Sequence, residues 1–212
     1  MINQSPQSGL ALFEAARFED AAAVWRQAAK AGDTESQAWL GALYAAGDGV
    51  PLDYQQAAYW FECAAEGDNA FAANNIAEMY WSGRGVGQDH ALGLKWFKRA
   101  AELGDVFALV NLGTLYQKGE DIDQDLAGAA RYFLRAAHAG NAHAQLQLGR
   151  MYARGEGVEA DRKESFAWLS LAAIHGSGAA LNLLENVVEA MSREERSTAQ
   201  DRLEQLRHAM PS

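Results

Sequence analysis

With one cysteine, three prolines and no apolar run long enough to cross a bilayer, the 212-residue chain excludes several classes at once. A lone Cys63 supports neither an intrachain disulfide framework nor a cysteine-based zinc site. It tilts the expected compartment mildly towards a reducing one. No stretch reaches the roughly 18 consecutive apolar residues of a spanning helix. Residues 1–31 lack a basic flank followed by an apolar core, so no signal peptide is visible. The expected location is therefore the cytoplasm, or the periplasm if a leader precedes this sequence. Basic residues are scarce: 18 Lys and Arg against 28 Asp and Glu leave a net charge of −10. That balance counts against nucleic acid, which needs a basic face, and leaves room for a basic protein partner. At 22% charged and 49% hydrophobic, the chain has enough apolar surface to bury a core and too little charge for disorder.

What the chain has in quantity is self-similarity. Tyr44, Tyr80, Tyr116 and Tyr152 recur at steps of 36 residues, as do Gly47, Gly83, Gly119 and Gly155 and also Asp53, Asp89, Asp125 and Asp161. A period of this size marks stacked supersecondary units, each contacting mainly its neighbours. Within the unit that starts at Gly32, Ser36, Leu40, Leu43 and Gly47 fall at steps of four, three and four, one face of a helix. Ala57, Trp60, Phe61, Ala64 and Ala65 mark a second helix. Gly47-Asp48-Gly49-Val50 separates the two, because glycine adopts the left-handed backbone that ends a helix. Asp53 stands where its carboxylate caps the second helix. Gln56 and Glu164, three residues after Asp53 and Asp161, make candidate capping boxes.

Small residues share columns at Gly41, Ala77, Gly113 and Gly149 and at Ala65, Ala101, Ala137 and Ala173, allowing close helix approach. The pairs Trp60/Phe61, Trp96/Phe97 and Tyr132/Phe133 read as core, and Trp96→Ala is expected to cost about 3–5 kcal/mol.

This pattern, G-D-x-x-A-x-x-x-L-G-x-x-Y-x-x-G-x-G-V-x-x-D followed by A-x-x-W-F-x-x-A-A, resembles the Sel-1-like repeat family, a relative of the tetratricopeptide repeats. Four copies are expected at 32–67, 68–103, 104–139 and 140–175. Residues 1–31 are expected as an N-terminal helix pair, and 176–212 as a partial repeat with a C-terminal capping helix. Two columns depart: Asp68 replaces a starting glycine and Asp121 a loop glycine. The resemblance implies an all-α, right-handed α/α solenoid of helix pairs, in a family of adaptors, regulators and inhibitors of protein complexes, often bacterial. Cysteine-rich members have been associated with β-lactams, but their paired cysteines are absent here. At the C-terminal end, Ser192 and Glu195 suggest a capping box, with Leu203 and Leu206 facing the stack.

Signs of chemistry are weak. Asp121-x-Asp123-x-Asp125 resembles the opening of a calcium loop, yet Leu126 stands where the turn glycine belongs and Tyr132 where the final glutamate does. Gly83-Arg84-Gly85-Val86-Gly87 resembles a phosphate loop, but no strand precedes it. His90, His138, His143, His175 and His208 form no ligand set, and Cys63 lies on a small-residue face rather than beside a base. No cofactor and no metal are expected.

The resemblance implies that the first helices line the inner, concave surface. The stripe beside their packed face comprises Glu35, Trp39, Phe71, Asn75, Glu78, Phe107, Asn111, Lys118, His143, Arg150 and Arg154. Trp39, Phe71 and Phe107 occupy positions that repeat packing does not demand, and exposed aromatic and arginine residues commonly anchor interfaces. The alternative is that these rings contact a neighbouring helix and the polar residues are merely solvated. The expected function is a non-catalytic protein-interaction module, an adaptor, scaffold or regulator, holding a partner segment with an acidic group near Arg150. A dedicated inhibitor or immunity protein of a toxin or effector is the alternative. A solenoid-based hydrolase is the more distant one, for which no nucleophile or metal set assembles.

Overall fold

The computed structural model describes residues 6–210, and among these every regular element is a helix and no strand occurs. The N-terminal pair is α1 (Pro6–Glu14) and α2 (Phe18–Lys30). Four pairs follow: α3 (Thr34–Ala46) with α4 (Tyr54–Glu66), α5 (Ala70–Ser82) with α6 (His90–Glu102), α7 (Val106–Lys118) with α8 (Leu126–His138), and α9 (Ala142–Arg154) with α10 (Arg162–Ile174). The chain ends in α11 (Gly178–Glu189) and α12 (Arg193–Ala209). Residues 1–5 of the expected N-terminal pair lie outside the described residues.

Every helix of the four pairs has 13 residues because the same signals bound it. At the start of first helices, Asp33, Asn69, Asp105 and Asn141 accept from the backbone N–H three residues on, at 2.7–2.9 Å. At the start of second helices, the column Asp53, Asp89, Asp125 and Asp161 does the same. Each such cap is worth about 1 kcal/mol. The same aspartates close the intervening loop, since their N–H groups donate to the carbonyls of Tyr44, Tyr80, Tyr116 and Tyr152 at 2.9–3.0 Å. This double use makes the Asp column both the cap of the second helix and the residue that closes the loop onto the first. Gly47, Gly83 and Gly155 end their helices in the left-handed region, returning an N–H to Leu43, Met79 and Met151.

Both capping boxes expected within the repeats are corrected: the N–H groups of Asp53 and Asp161 go to the carbonyls of Tyr44 and Tyr152, so Gln56 and Glu164 complete no box. The carboxylate of Glu164 does not turn back on its own helix start; it accepts from Arg202 Nε at 2.6 Å and Trp168 Nε1 at 3.1 Å. The reciprocal box forms at Ser192 and Glu195.

The chain divides into two compact units, one ending at Ala108 and the other beginning at Leu109. In the first, each helix from α1 to α6 packs on the next. Trp25 is fully buried there among Ala21, Ala22, Leu43 and Val50, and Phe61 lies over Gly41 so closely that a Cβ would come within 2.8 Å of its ring. In the second, Phe133 sits on Gly113 in the same way, at 2.7 Å. Helix α12 turns back onto α10, burying Leu206 and leaving Leu203 partly covered.

The aromatic columns are less uniform than the repeat implies. Phe61, Phe97 and Phe133 are buried. Their neighbours differ: Trp168 is fully enclosed, whereas Trp96 and Tyr132 stay partly exposed. Trp96 is therefore only in part a core residue, because its outer face lines an open groove between α4 and α6. Its truncation is expected to cost less than the full-core value.

Asp105 offers a separate test. Burial holds its carboxyl above the usual aspartate range, the charge of Glu78 adds to this, and N–H groups of Ala108 and Phe107 oppose it. A raised folded-state pKa means that the folded chain binds the proton more tightly. Stability from this group is thus present at acid pH and lost as pH rises past the unfolded value of about 3.9. Asparagine fills the same column at Asn69 and Asn141 and caps equally well. Asp105→Asn should give an equal or higher urea midpoint at neutral pH, with the advantage fading near the unfolded aspartate pKa. A midpoint lowered at neutral pH would show that the charge itself supports the helix start.

Candidate functional site

The stripe read from the sequence divides between the two units. Glu35, Trp39, Phe71, Asn75, Glu78 and Phe107 belong to the first, and Asn111, Lys118, His143, Arg150 and Arg154 to the second.

In the first unit the three rings separate into two kinds. Trp39 stacks on Trp25 with centroids 5.2 Å apart and planes at 9°, and touches Phe13 at 5.7 Å. It is a packing residue. The expectation that repeat packing leaves it unused fails because α1 supplies Phe13, a contact with no counterpart in the internal repeats. Phe71 and Phe107, one period apart, are 47% and 69% exposed. Phe71 meets only the edge of Phe61, at 5.9 Å. Glu35 is exposed in the first turn of α3. Asn75 donates to the carbonyl of Phe71 at 2.8 Å, so one of its N–H groups is already used. Glu78 accepts from Asn74 Nδ2 at 3.3 Å.

In the second unit, Lys118 lies 4.0 Å from Glu120, and Arg154 lies 3.4 Å from Glu156. His143 is 3.3 Å from Gln147. Arg150 makes no ion pair among the described residues, and Asn111 is engaged rather than free. Arg150 and Arg154 share a cavity of about 240 Å³ with Arg162, Leu169 and the α11 residues Leu183 and Val187. Sequence reasoning missed these last four because it followed the first helices only. The signal is present in α11, where Leu183, Val187 and Ala190 fall at helical spacing after the repeat columns have lapsed.

Residues that tempt a chemical reading have structural partners. His90 stacks on Trp81 at 4.6 Å, His138 meets the Trp168 ring edge-on at 5.2 Å, and His175 Nδ1 is 2.8 Å from Gln145 Oε1. Arg84 of the glycine-rich loop places its guanidinium 5.2 Å from the Tyr54 ring centroid. Gln145, itself buried, donates to Ala137 O at 3.0 Å, and Gln37 does the same to Ala29 O at 3.2 Å three periods earlier. A side-chain amide thus ties the end of one pair to the next. Tyr80 is pushed up to about 12, first by burial and then by its hydrogen bond to Glu62, so its phenol stays protonated at physiological pH. Among the described residues no group of three or more His, Cys, Asp or Glu side chains gathers to hold a metal ion, and no helix is long and apolar enough to cross a membrane.

Comparison with known proteins places this geometry. No curated protein matches the chain. A Sel1 repeat protein from Oxalobacter formigenes is 39% identical with a TM-score of 0.76, over 80% of this chain and 49% of that one. The protective antigen c5321 of uropathogenic Escherichia coli, which displays an SLR fold, is 28% identical with a TM-score of 0.79, over 88% of this chain and 41% of that one. The chain thus spans less than half the length of either. The immunity protein Pa5087 from Pseudomonas aeruginosa shares the fold at 23% identity and a TM-score of 0.53, over 83% of this chain and 69% of that one. The family model for the Sel1 repeat matches four consecutive segments, residues 34–69, 70–105, 106–141 and 142–177. These are the capped 13-residue helix pairs described above, and the chain belongs to the Sel1 repeat family.

Proposed function

We propose that the chain is a non-catalytic interaction module whose first unit holds a partner segment across Phe71 and Phe107. Sel1 repeats are generally protein-interaction modules, which supports the class of function. The observation that carries the site is the exposure of these two large rings one repeat apart, in an array whose other rings, Tyr59 excepted, are buried or only partly exposed. Large exposed rings cost solvation free energy and contribute little to folding, so a covering partner is the physical reason to keep them. Asn75, one helical turn after Phe71, has an amide oxygen and one N–H left to meet a peptide backbone. The net charge of −10 favours a partner that is basic overall. An adaptor and a dedicated inhibitor use such a surface alike. Appearance of the same fold in an immunity protein keeps the inhibitor as an alternative.

The double variant Phe71→Ala/Phe107→Ala tests the proposal. Neither ring is a core residue, and the expected stability loss is at most about 1–2 kcal/mol. Loss of two interface anchors should weaken the partner roughly thirtyfold or more. Pulldown from native lysate, with wild type beside the variant and helicity checked by circular dichroism, reads both effects. Equal recovery of a stoichiometric partner by a folded double variant would remove this surface from consideration.

A further inference from the structure

We propose that the cavity between α9, α10 and α11 binds an acidic segment of a protein partner, with a carboxylate on Arg150 and a neighbouring aliphatic side chain on Leu183 and Val187. The site rests on the interaction reading above and adds a second element of specificity to it. The cavity exists because the repeat ends here. Glu185 and Val188 stand where the array carries glycine or alanine and tyrosine. Helix α12 packs on α10 instead of continuing the array, and α11 rests on both α9 and α10. Leu183 and Val187, four residues apart on α11, are left only partly covered.

The chemistry of the walls selects the occupant. Three arginines meet one apolar floor within about 240 Å³. That is below the roughly 300–1,000 Å³ of pockets that enclose whole small molecules, so the space suits a side chain or two of a longer ligand. On a chain of net charge −10 such a cluster is a local reversal of sign, and it marks an anionic partner group. A guanidinium is a planar fork that matches a carboxylate with two parallel hydrogen bonds. Arg150 makes no ion pair among the described residues. Arg154 pairs with Glu156 at 3.4 Å and Arg162 with Glu195 at 3.6 Å, and all four side chains are more than a third exposed. Pairs of that kind contribute little and exchange readily for an incoming carboxylate. The floor excludes a simple anion site: inorganic phosphate would leave Leu183 and Val187 uncovered. A peptide carrying acidic and aliphatic residues side by side satisfies both surfaces.

A fluorescent hexapeptide alternating glutamate and leucine probes the site by anisotropy, beside lysine–leucine and glutamate–serine peptides of equal length. The expected result is binding of the glutamate–leucine peptide alone, weakened roughly tenfold or more by Arg150→Glu and by a smaller factor in Arg150→Lys, which keeps the charge but loses the fork. Phe71→Ala/Phe107→Ala should bind this peptide as wild type does. Absence of binding to wild type, equal binding of lysine–leucine or glutamate–serine peptide, or an unchanged affinity in Arg150→Glu overturns the proposal. Loss of the peptide in the phenylalanine variant overturns it too, because the ligand then sits on the first unit. Each failure leaves the lysate pulldown with the phenylalanine variant as a separate test of the interaction reading.

Discussion

Trp168→Ala should lower the free energy of unfolding by about 3–5 kcal/mol, while Trp96→Ala, one column member two repeats earlier, should cost clearly less. Truncating a buried indole removes its transfer free energy and leaves a cavity that the surroundings fill only in part. Trp168 is fully enclosed, with His138 against its ring edge and its N–H donated to Glu164. Losing the ring also removes the donor that helps orient Glu164 towards Arg202 on α12, so the cap is expected to loosen with it. Trp96 has one face on an open groove, and a cavity there refills with water. Chemical denaturation of the two variants beside wild type decides the matter. Equal losses would mean that Trp96 is as much a core residue as Trp168.

Gly157→Ala should cost roughly 2–5 kcal/mol, the sum of a left-handed backbone for a residue with a Cβ and a steric overlap. Its φ is +71°, and an added Cβ would lie 2.2 Å from the carbonyl oxygen of Leu126. The loop of one pair thus rests directly on the backbone that begins the preceding second helix. Such backbone cannot yield as a flexible side chain does. Gly140 isolates the first of the two costs, for its φ is +84° and nothing lies within 4 Å of the added atom. Gly140→Ala should therefore lose only about 1–2 kcal/mol. The gap between the two variants measures the loop-to-helix contact. If thermal or urea melts of both variants coincide, the contact carries no stability. The same arrangement recurs in the first unit, where a Cβ on Gly85 would lie 2.2 Å from Tyr54 O.

The legible part of this protein is the local part. Helix limits are readable because each is set by groups within a few residues: an Asp or Asn side chain reaching the N–H three positions on, and a glycine turning left-handed at the end. Small-residue columns are readable for a related reason, since Gly41 and Gly113 face rings at the same offset in their own pairs. Tertiary structure decided the fate of residues at which the period stops being informative. Trp39 is packed because α1 brings Phe13 against it, Glu164 is drawn away from its own helix start because α12 folds back on α10 and brings Arg202 to it, and the arginine-rimmed cavity forms because α11 continues the stack without the array's columns. A period predicts contacts between like units. At the ends each unit meets a helix outside the register, and burial there depends on packing that no column of the sequence encodes.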